Sequence, residues 1–262
     1  GSTWNILHDL EAGANQMTVH PTNPDVVYVA TNNGLQRSLN GGDSWATVIS
    51  DKTWDIRFHP TQPTTVYALV HQDTPERCSF QRSDDGGATF TLYDDGYFTP
   101  SDQEEAFDGG GRLGVTPADP DRVYVGLLGE GKENDRGWIG LYRSNNKGEL
   151  WTNPNGQDGG PYNLEHPNLA TQNIDGTGVN QGFYNYGLAV SHNDADVVWV
   201  GVQGLSSTDD GGVTWKRIGG YDASTYDLGW IHPDIQDIHV LGEHIWVATD
   251  GGLNYSNDEL ST

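Results

Sequence analysis

The chain has a single cysteine, Cys78, among its 262 residues, so it can form no intrachain disulfide. With no predictable base beside it, Cys78 reads as a small buried hydrophobe. Basic residues are scarce, at 13 Lys and Arg against 37 Asp and Glu, and the formal net charge is −24. Such a surface repels a phosphate backbone, which argues against nucleic acid as a partner and disfavours anionic membranes. The plain reading of the charge is solubility. No apolar run approaches the roughly 20 residues that a membrane helix needs, so membrane insertion is not expected. No signal peptide is visible, and Gly1-Ser2 has the form of a vector-derived scar that can stand where a leader was removed. The nine histidines show no H-E-x-x-H spacing. There is no nucleophile elbow of the G-x-S-x-G type and no phosphate-binding loop between a strand and a helix. Hydrophobic content is only 34%, but 9 Trp, 12 Tyr and 6 Phe can build a core.

What the chain does have is a short phrase written four times and begun a fifth. It reads Ser38-Leu39-Asn40-Gly41-Gly42-Asp43-Ser44-Trp45, then Ser83-Asp84-Asp85-Gly86-Gly87-Ala88-Thr89-Phe90. It returns as Ser144-Asn145-Asn146-Lys147-Gly148-Glu149-Leu150-Trp151 and Thr208-Asp209-Asp210-Gly211-Gly212-Val213-Thr214-Trp215, and reopens at Ser256-Asn257-Asp258. The shared pattern is S/T-x-D/N-x-G-x-x-W/F. Successive intervals between its first residues are 45, 61, 64 and 48 residues. A phrase repeated at such a period marks a repeat architecture.

A second block precedes each phrase: Met17 to Pro21 and Val26 to Thr31 in the first unit, Ile56 to Pro60 and Thr65 to Val70 in the second. Leu113 to Pro117 with Arg122 to Gly126, Leu188 to His192 with Val197 to Gly201, and Ile238 to Val240 with Ile245 to Thr249 complete the set. These β-branched and aromatic runs between Pro, Asn and Asp turns predict strands. Pro21, Pro60 and Pro117 end the first strand of their units, because Pro cannot donate to a ladder. Each unit predicts four antiparallel strands. The third ends at the Ser of the phrase and the fourth starts at its Trp. Arranged radially, such units make an all-β β-propeller of five recognisable blades. Residues 1–262 read as one domain, with loop insertions near 94–109 and 152–183.

The phrase has a local logic. Small Asp, Asn and Ser side chains accept backbone N–H bonds in a turn, and Gly permits positive φ. The closing Trp or Phe can bury a large face between sheets. At the ends, Trp4-Asn5-Ile6-Leu7 offers the fourth strand that the last unit lacks, which would close the ring. The alternative is that the chain is part of a larger propeller.

The phrase resembles the Asp-box, or bacterial neuraminidase repeat. Together with His20-Pro21-Thr22-Asn23-Pro24-Asp25-Val26-Val27-Tyr28-Val29-Ala30-Thr31, it is similar to the Asp-box propellers of the xyloglucanase family, the sortilin-type receptors and the photosystem assembly factors. The resemblance covers nearly the whole chain and implies the propeller fold. Sialidases share the box but carry an Arg-Ile-Pro-type segment and three arginines that clamp a carboxylate. Here Arg57 sits in Asp55-Ile56-Arg57-Phe58, without that Pro. The xyloglucanase family is usually longer, with two propellers, and its catalytic aspartates do not carry over residue by residue. The resemblance implies an extracellular setting (secreted, periplasmic or at the cell surface) and two classes of function. One is glycan recognition or glycoside-hydrolase-like processing of a polysaccharide or oligosaccharide. The other is a non-catalytic scaffold that binds protein.

Aligning the units on His20, His59, Thr116 and Ser191 brings Gln16, Asp55, Arg112, Gly187 and Asp237 to one level. Their preceding neighbours are Asn15, Trp54, Gly111, Tyr186 and Gln236. Glycoside hydrolysis needs two carboxyl groups, about 5–5.5 Å apart for retention or about 6.5–9.5 Å for inversion. Asp55 and Asp237 are the expected catalytic pair, with Arg112 able to keep one ionised. Arg112, Gln16, Trp54, Tyr184, Tyr186, Gln236 and His232 are the expected substrate-binding residues. The competing reading is that these polar groups only bind water and one another. Asp94, Asp95, Asp102, Glu104, Glu105 and Asp108 cluster in the first insertion, where carboxylates can hold Ca²⁺. No EF-hand spacing is present, and a solvated charge run is the simpler reading. No other cofactor is expected. The second insertion holds Asn173 to Gly178 and ends in Phe183-Tyr184-Asn185-Tyr186, a mixture suited to a sugar groove or to a loop packed on its own aromatics.

Overall fold

The computed structural model describes residues 12–100, 110–129, 137–154, 168–171, 181–182, 184–220 and 231–260. The proposed closing strand at Trp4 to Leu7 lies outside them. Blade one is a meander of β1 (Ala14–Val19), β2 (Val27–Thr31), β3 (Gly34–Ser38) and β4 (Ala46–Ile49). Blade two repeats it with β5 (Thr53–Phe58), β6 (Val66–Asp73), β7 (Glu76–Ser83) and β8 (Thr91–Leu92). Blade three has β9 (Gly111–Val115), β10 (Val123–Leu128) and β11 (Trp138–Ser144). Blade four has β12 (Gly187–Val190), β13 (Val198–Gly201), β14 (Leu205–Thr208) and β15 (Lys216–Gly219). Blade five has β16 (Ile235–Leu241), β17 (His244–Thr249) and β18 (Gly252–Ser256). The five antiparallel sheets form a five-bladed β-propeller, and their first strands line the central channel.

Blade three has three strands where the sequence predicts four. In blade three the fourth strand shrinks to one bridge, between Arg143 and Thr152. Its entry is diverted because the Trp151 N–H donates to Asp95 O of blade two. In blade five no fourth strand is found among the described residues.

In blades three and four the second strands are buried on both faces because blades press on them from both sides. Val123–Leu128 and Val198–Gly201 are buried throughout. Four hydrophobic clusters stitch neighbouring blades together. Tyr28, Ala30 and Leu35 of blade one meet Ile56 and Phe58 of blade two. Tyr67, Leu69 and Phe80 meet Leu113, with Cys78 buried among them. Tyr124 and Leu128 meet Leu188 and Val190. Trp199 meets Ile238 and Val240.

The repeated phrase is the turn between the third and fourth strands. Ser83 Oγ accepts the Gly87 N–H at 2.8 Å and donates to Asp85 Oδ1 at 2.7 Å. Asp85 Oδ1 in turn accepts the N–H groups of Ala88 and Thr89, each at 2.9 Å. Ser38, Ser144 and Thr208 accept from Gly42, Gly148 and Gly212 in the same way, and Ser256 accepts from Leu260. Hydrogen bonds from Thr89, above all its hydroxyl, hold the Asp85 carboxyl well below its ordinary range. The turn then receives the preceding blade, since Tyr28 Oη donates to Gly86 O. At the same end, where each first strand stops, His20 Nδ1 and His59 Nδ1 accept turn N–H groups. Thr116 and Ser191 do this with hydroxyl oxygens in blades three and four.

Ser83→Ala leaves the buried Gly87 N–H without an acceptor and is expected to cost about 1–3 kcal/mol in chemical denaturation. Gly86 and Gly87 both have positive φ, but a Cβ at Gly86 meets nothing whereas one at Gly87 runs into the Tyr28 hydroxyl. Gly86→Ala should cost about 1–2 kcal/mol for the left-handed backbone, and Gly87→Ala clearly more. Because the folded Asp85 carboxyl is depressed, its stabilisation is present above the unfolded value of about 3.9 and lost as pH falls below it. Asp85→Ala should flatten that part of the acid-stability profile.

Candidate functional site

Gln16, Asp55 and Asp237 do occupy one repeated geometry. Each follows a register shift in the pairing of a first strand, at Ala14/Gln16, Thr53/Asp55 and Ile235/Asp237. Such a bulge frees a backbone amide, and the side chain at the bulge takes it. Gln16 Oε1 accepts the Met17 N–H at 2.9 Å, Asp55 Oδ1 that of Ile56 at 2.7 Å, and Asp237 Oδ1 that of Ile238 at 2.9 Å. Arg112 and Gly187 stand in regular register opposite Gly126 and Gly201.

Asp55 is fully buried, and its second oxygen accepts the Leu113 N–H of blade three at 2.9 Å. Arg57 Nη1 lies 3.3 Å from the first. The arginine beside Asp55 is thus Arg57. Asp237 is exposed.

Arg112 spans three blades through carbonyls. Its Nε donates to Tyr186 O at 3.2 Å, and its Nη1 donates to Trp54 O at 3.4 Å and Gly111 O at 3.3 Å. Its guanidinium also faces the Tyr186 ring at 5.8 Å. Trp54 is half-exposed, with the Lys52 ammonium 3.4 Å above its ring. Tyr186 is buried, and burial pushes its phenol well above the ordinary range. It therefore serves as a wall beside the half-exposed Trp54.

On blade five, exposed Tyr184 donates to Asp250 Oδ2 at 3.5 Å, and Gln236 Nε2 donates to Asp250 Oδ1 at 2.8 Å. Asn185 Nδ2 donates to Asp234 Oδ1 at 3.1 Å and to Val202 O. His232 is half-buried, with Nδ1 2.8 Å from Pro233 O and its ring against Gly251. Lys52, Asp234 and Asp250 were not singled out from sequence. Asp250 follows Thr249 as Asn32 follows Thr31, so aligning the second hairpins as well as the first strands would have found it.

Below this end the first strands enclose a cavity of about 460 Å³, lined by Gln16, Arg57, His192, Asp237 and His239 among others. Burial, with the nearby His239, lowers the His192 pKa. Of the acidic cluster, Asp94 is paired with Arg77 Nη2 at 2.7 Å, while Asp102, Glu104, Glu105 and Asp108 lie outside the described residues. Asn173 to Gly178 and Phe183 lie outside them too. Among the described residues no three His, Cys, Asp or Glu side chains group as metal ligands.

No protein-family model matches the chain, and no curated protein matches it in sequence. Solved structures do share its fold. An ancestral GH74 enzyme superposes with a TM-score of 0.59 at 16% identity, over 90% of this chain and 27% of its own. The GH74 xyloglucanase of Xanthomonas campestris gives 0.56 at 15%, over 94% and 36%. PorZ, a surface component of the type-IX secretion system of Porphyromonas gingivalis, gives 0.55 at 19%, over 95% and 33%. The chain thus spans about a third or less of the length of these proteins. GH74 enzymes and a bacterial surface component thus both share the fold of this chain.

Asp55→Ala strands two buried N–H groups, at about 1–3 kcal/mol each. Asp237→Ala strands one part-buried N–H, that of Ile238, and should cost less, about 0.5–1.5 kcal/mol. Thermal melts of the two variants side by side check the contrast.

Proposed function

We propose that the protein binds a glycan across the end of the propeller that carries Trp54, Arg112, Tyr184 and Gln236, and does so without hydrolysing it. The observation that carries this reading is the state of Asp55. A glycosidase carboxyl must offer a lone pair or proton to the scissile bond or to water. Both oxygens of Asp55 are instead spent on backbone N–H groups inside the protein. That leaves Asp237 without the partner expected from sequence.

Recognition needs less. The half-exposed Trp54 and exposed Tyr184 offer faces to sugar rings, and Gln236 and Asp250 offer amide and carboxylate groups to hydroxyls. The net charge of −24 favours a neutral glycan over a sulfated or uronic one. The GH74 neighbours, one of them a xyloglucanase, support plant-type polysaccharides as the first class to try. PorZ, a surface component, supports an extracellular or surface setting. Among the described residues no helix is long and apolar enough to cross a membrane. The scaffold reading draws on another part of the molecule, the apolar outer face of blade five.

Titration calorimetry against neutral plant oligosaccharides tests the proposal. Trp54→Ala and Tyr184→Ala should each weaken binding roughly tenfold, about 1.4 kcal/mol, with no reducing ends released by the wild type. Release of reducing ends that disappears in Asp237→Ala would show a hydrolase. Absence of binding across the panel would leave the scaffold reading.

A further inference from the structure

The channel cavity carries a set of polar groups apart from those at the mouth. Its volume of about 460 Å³ falls in the range of small-molecule sites. Gln16, Arg57, His192 and Asp237 line it, from blades one, two, four and five. Each spends one polar atom on the protein, and that bond decides what its other end can do. Gln16 Oε1 accepts the Met17 N–H, so the loose end of the amide is its NH₂, a donor. Asp237 Oδ1 accepts the Ile238 N–H, which leaves Oδ2 as an acceptor. Arg57 Nη1 pairs with the buried Asp55, and the guanidinium keeps further N–H groups to give. His192 Nδ1 accepts the Gly242 N–H at 3.1 Å, so the neutral ring carries its proton on Nε2, again a donor. Among the described residues, Gln16 Nε2, Asp237 Oδ2 and His192 Nε2 have no protein partner. Blade two leaves no such loose end, because the Leu113 N–H takes Asp55 Oδ2.

The levels of these groups sort them. Gln16 and Asp237 stand at the bulge of their strands, and Arg57 reaches back to the same level through Asp55. His192 stands further along, just past the end of β12. The bulge level thus offers two donors, one of them a guanidinium, and one ionised acceptor. A carboxylate suits the donors, but a simple anion is repelled by the net charge of −24. A ligand that adds an ammonium group is neutral overall and gives Asp237 a charged partner.

We propose that the channel cavity binds a zwitterionic small molecule of the α-amino acid class, with its carboxylate on Arg57 and Gln16 Nε2 and its ammonium on Asp237 Oδ2. The side chain of the ligand points along the channel toward His192, whose Nε2–H favours a polar, acceptor-bearing group there. This site is separate from the glycan surface at the mouth and does not rest on it.

Titration calorimetry of the whole chain against a panel of free α-amino acids tests this. At least one should bind. Its N-acetyl form lacks the ammonium and its methyl ester lacks the carboxylate, and each should bind at least about tenfold more weakly. Two near-isosteric variants locate the site. Asp237→Asn and Gln16→Glu both keep the oxygen that accepts the bulge N–H, but each reverses the polarity of the loose end. Each should weaken binding at least about tenfold, with circular dichroism melts close to the wild type. Should either variant melt early, amide shifts of the wild type take its place, and the bound amino acid should move Met17, Arg57 and Ile238. Absence of binding by every amino acid overturns the proposal. So does an N-acetyl form that binds as tightly as its parent, and so does full affinity in both folded variants.

Discussion

No sheet in this protein can bury either of its faces alone, and the structure depends on how one blade is seated on the next. The seat is an aromatic from a second strand pressed into the first strand and turn of the following blade. Tyr28 shows its parts together: the ring meets Phe58 edge-on at 5.6 Å, and the hydroxyl reaches the Gly86 carbonyl. The turn that offers this carbonyl must keep its shape without support from a helix or a disulfide. The Ser83, Asp85 and Gly87 hydrogen bonds supply that shape from within eight residues. The repeated phrase is therefore structural, and the chemistry of the molecule lies at the opposite ends of the strands.

At that end the polar groups divide by the work they do. Asp55 and Arg112 look like catalytic equipment but are occupied in joining blades through backbone amides and carbonyls. Tyr184, from the segment entering blade four, and Gln236 and Asp250 of blade five form a separate group linked to one another at the surface. This division favours a surface that holds a ligand over one that transforms it.

Strand order and turn positions were legible because the residues that specify them lie close together. Ser and Gly stand four apart, and His20 or His59 stands beside the Pro that ends its strand. The common level of Gln16, Asp55 and Asp237 was legible for the same reason, as an equal offset from those strand ends. The use of the Asp55 carboxylate was not, because its second partner, the Leu113 amide, belongs to the next blade and is 58 residues away. Arg57 beside Asp55 lies two positions along the same strand, whereas Arg112 shares only its level and reaches backbone carbonyls. The missing fourth strand of blade three was likewise hidden, since Trp151 is captured by Asp95 from blade two.

Among the described residues four hydrophobic clusters join the five blades, so the energetics of that part follow a linear array. In such an array stability is a sum of unit and nearest-neighbour terms. Among the described residues, blades two, three and four are each clamped by two clusters, and blades one and five by one. Cooperativity then decays toward the two end blades, and opening should begin there and spread inward. The middle blades, which hold Arg112 and the Trp54 platform, form the last part to melt, so the mouth of the channel keeps its shape while the edges breathe.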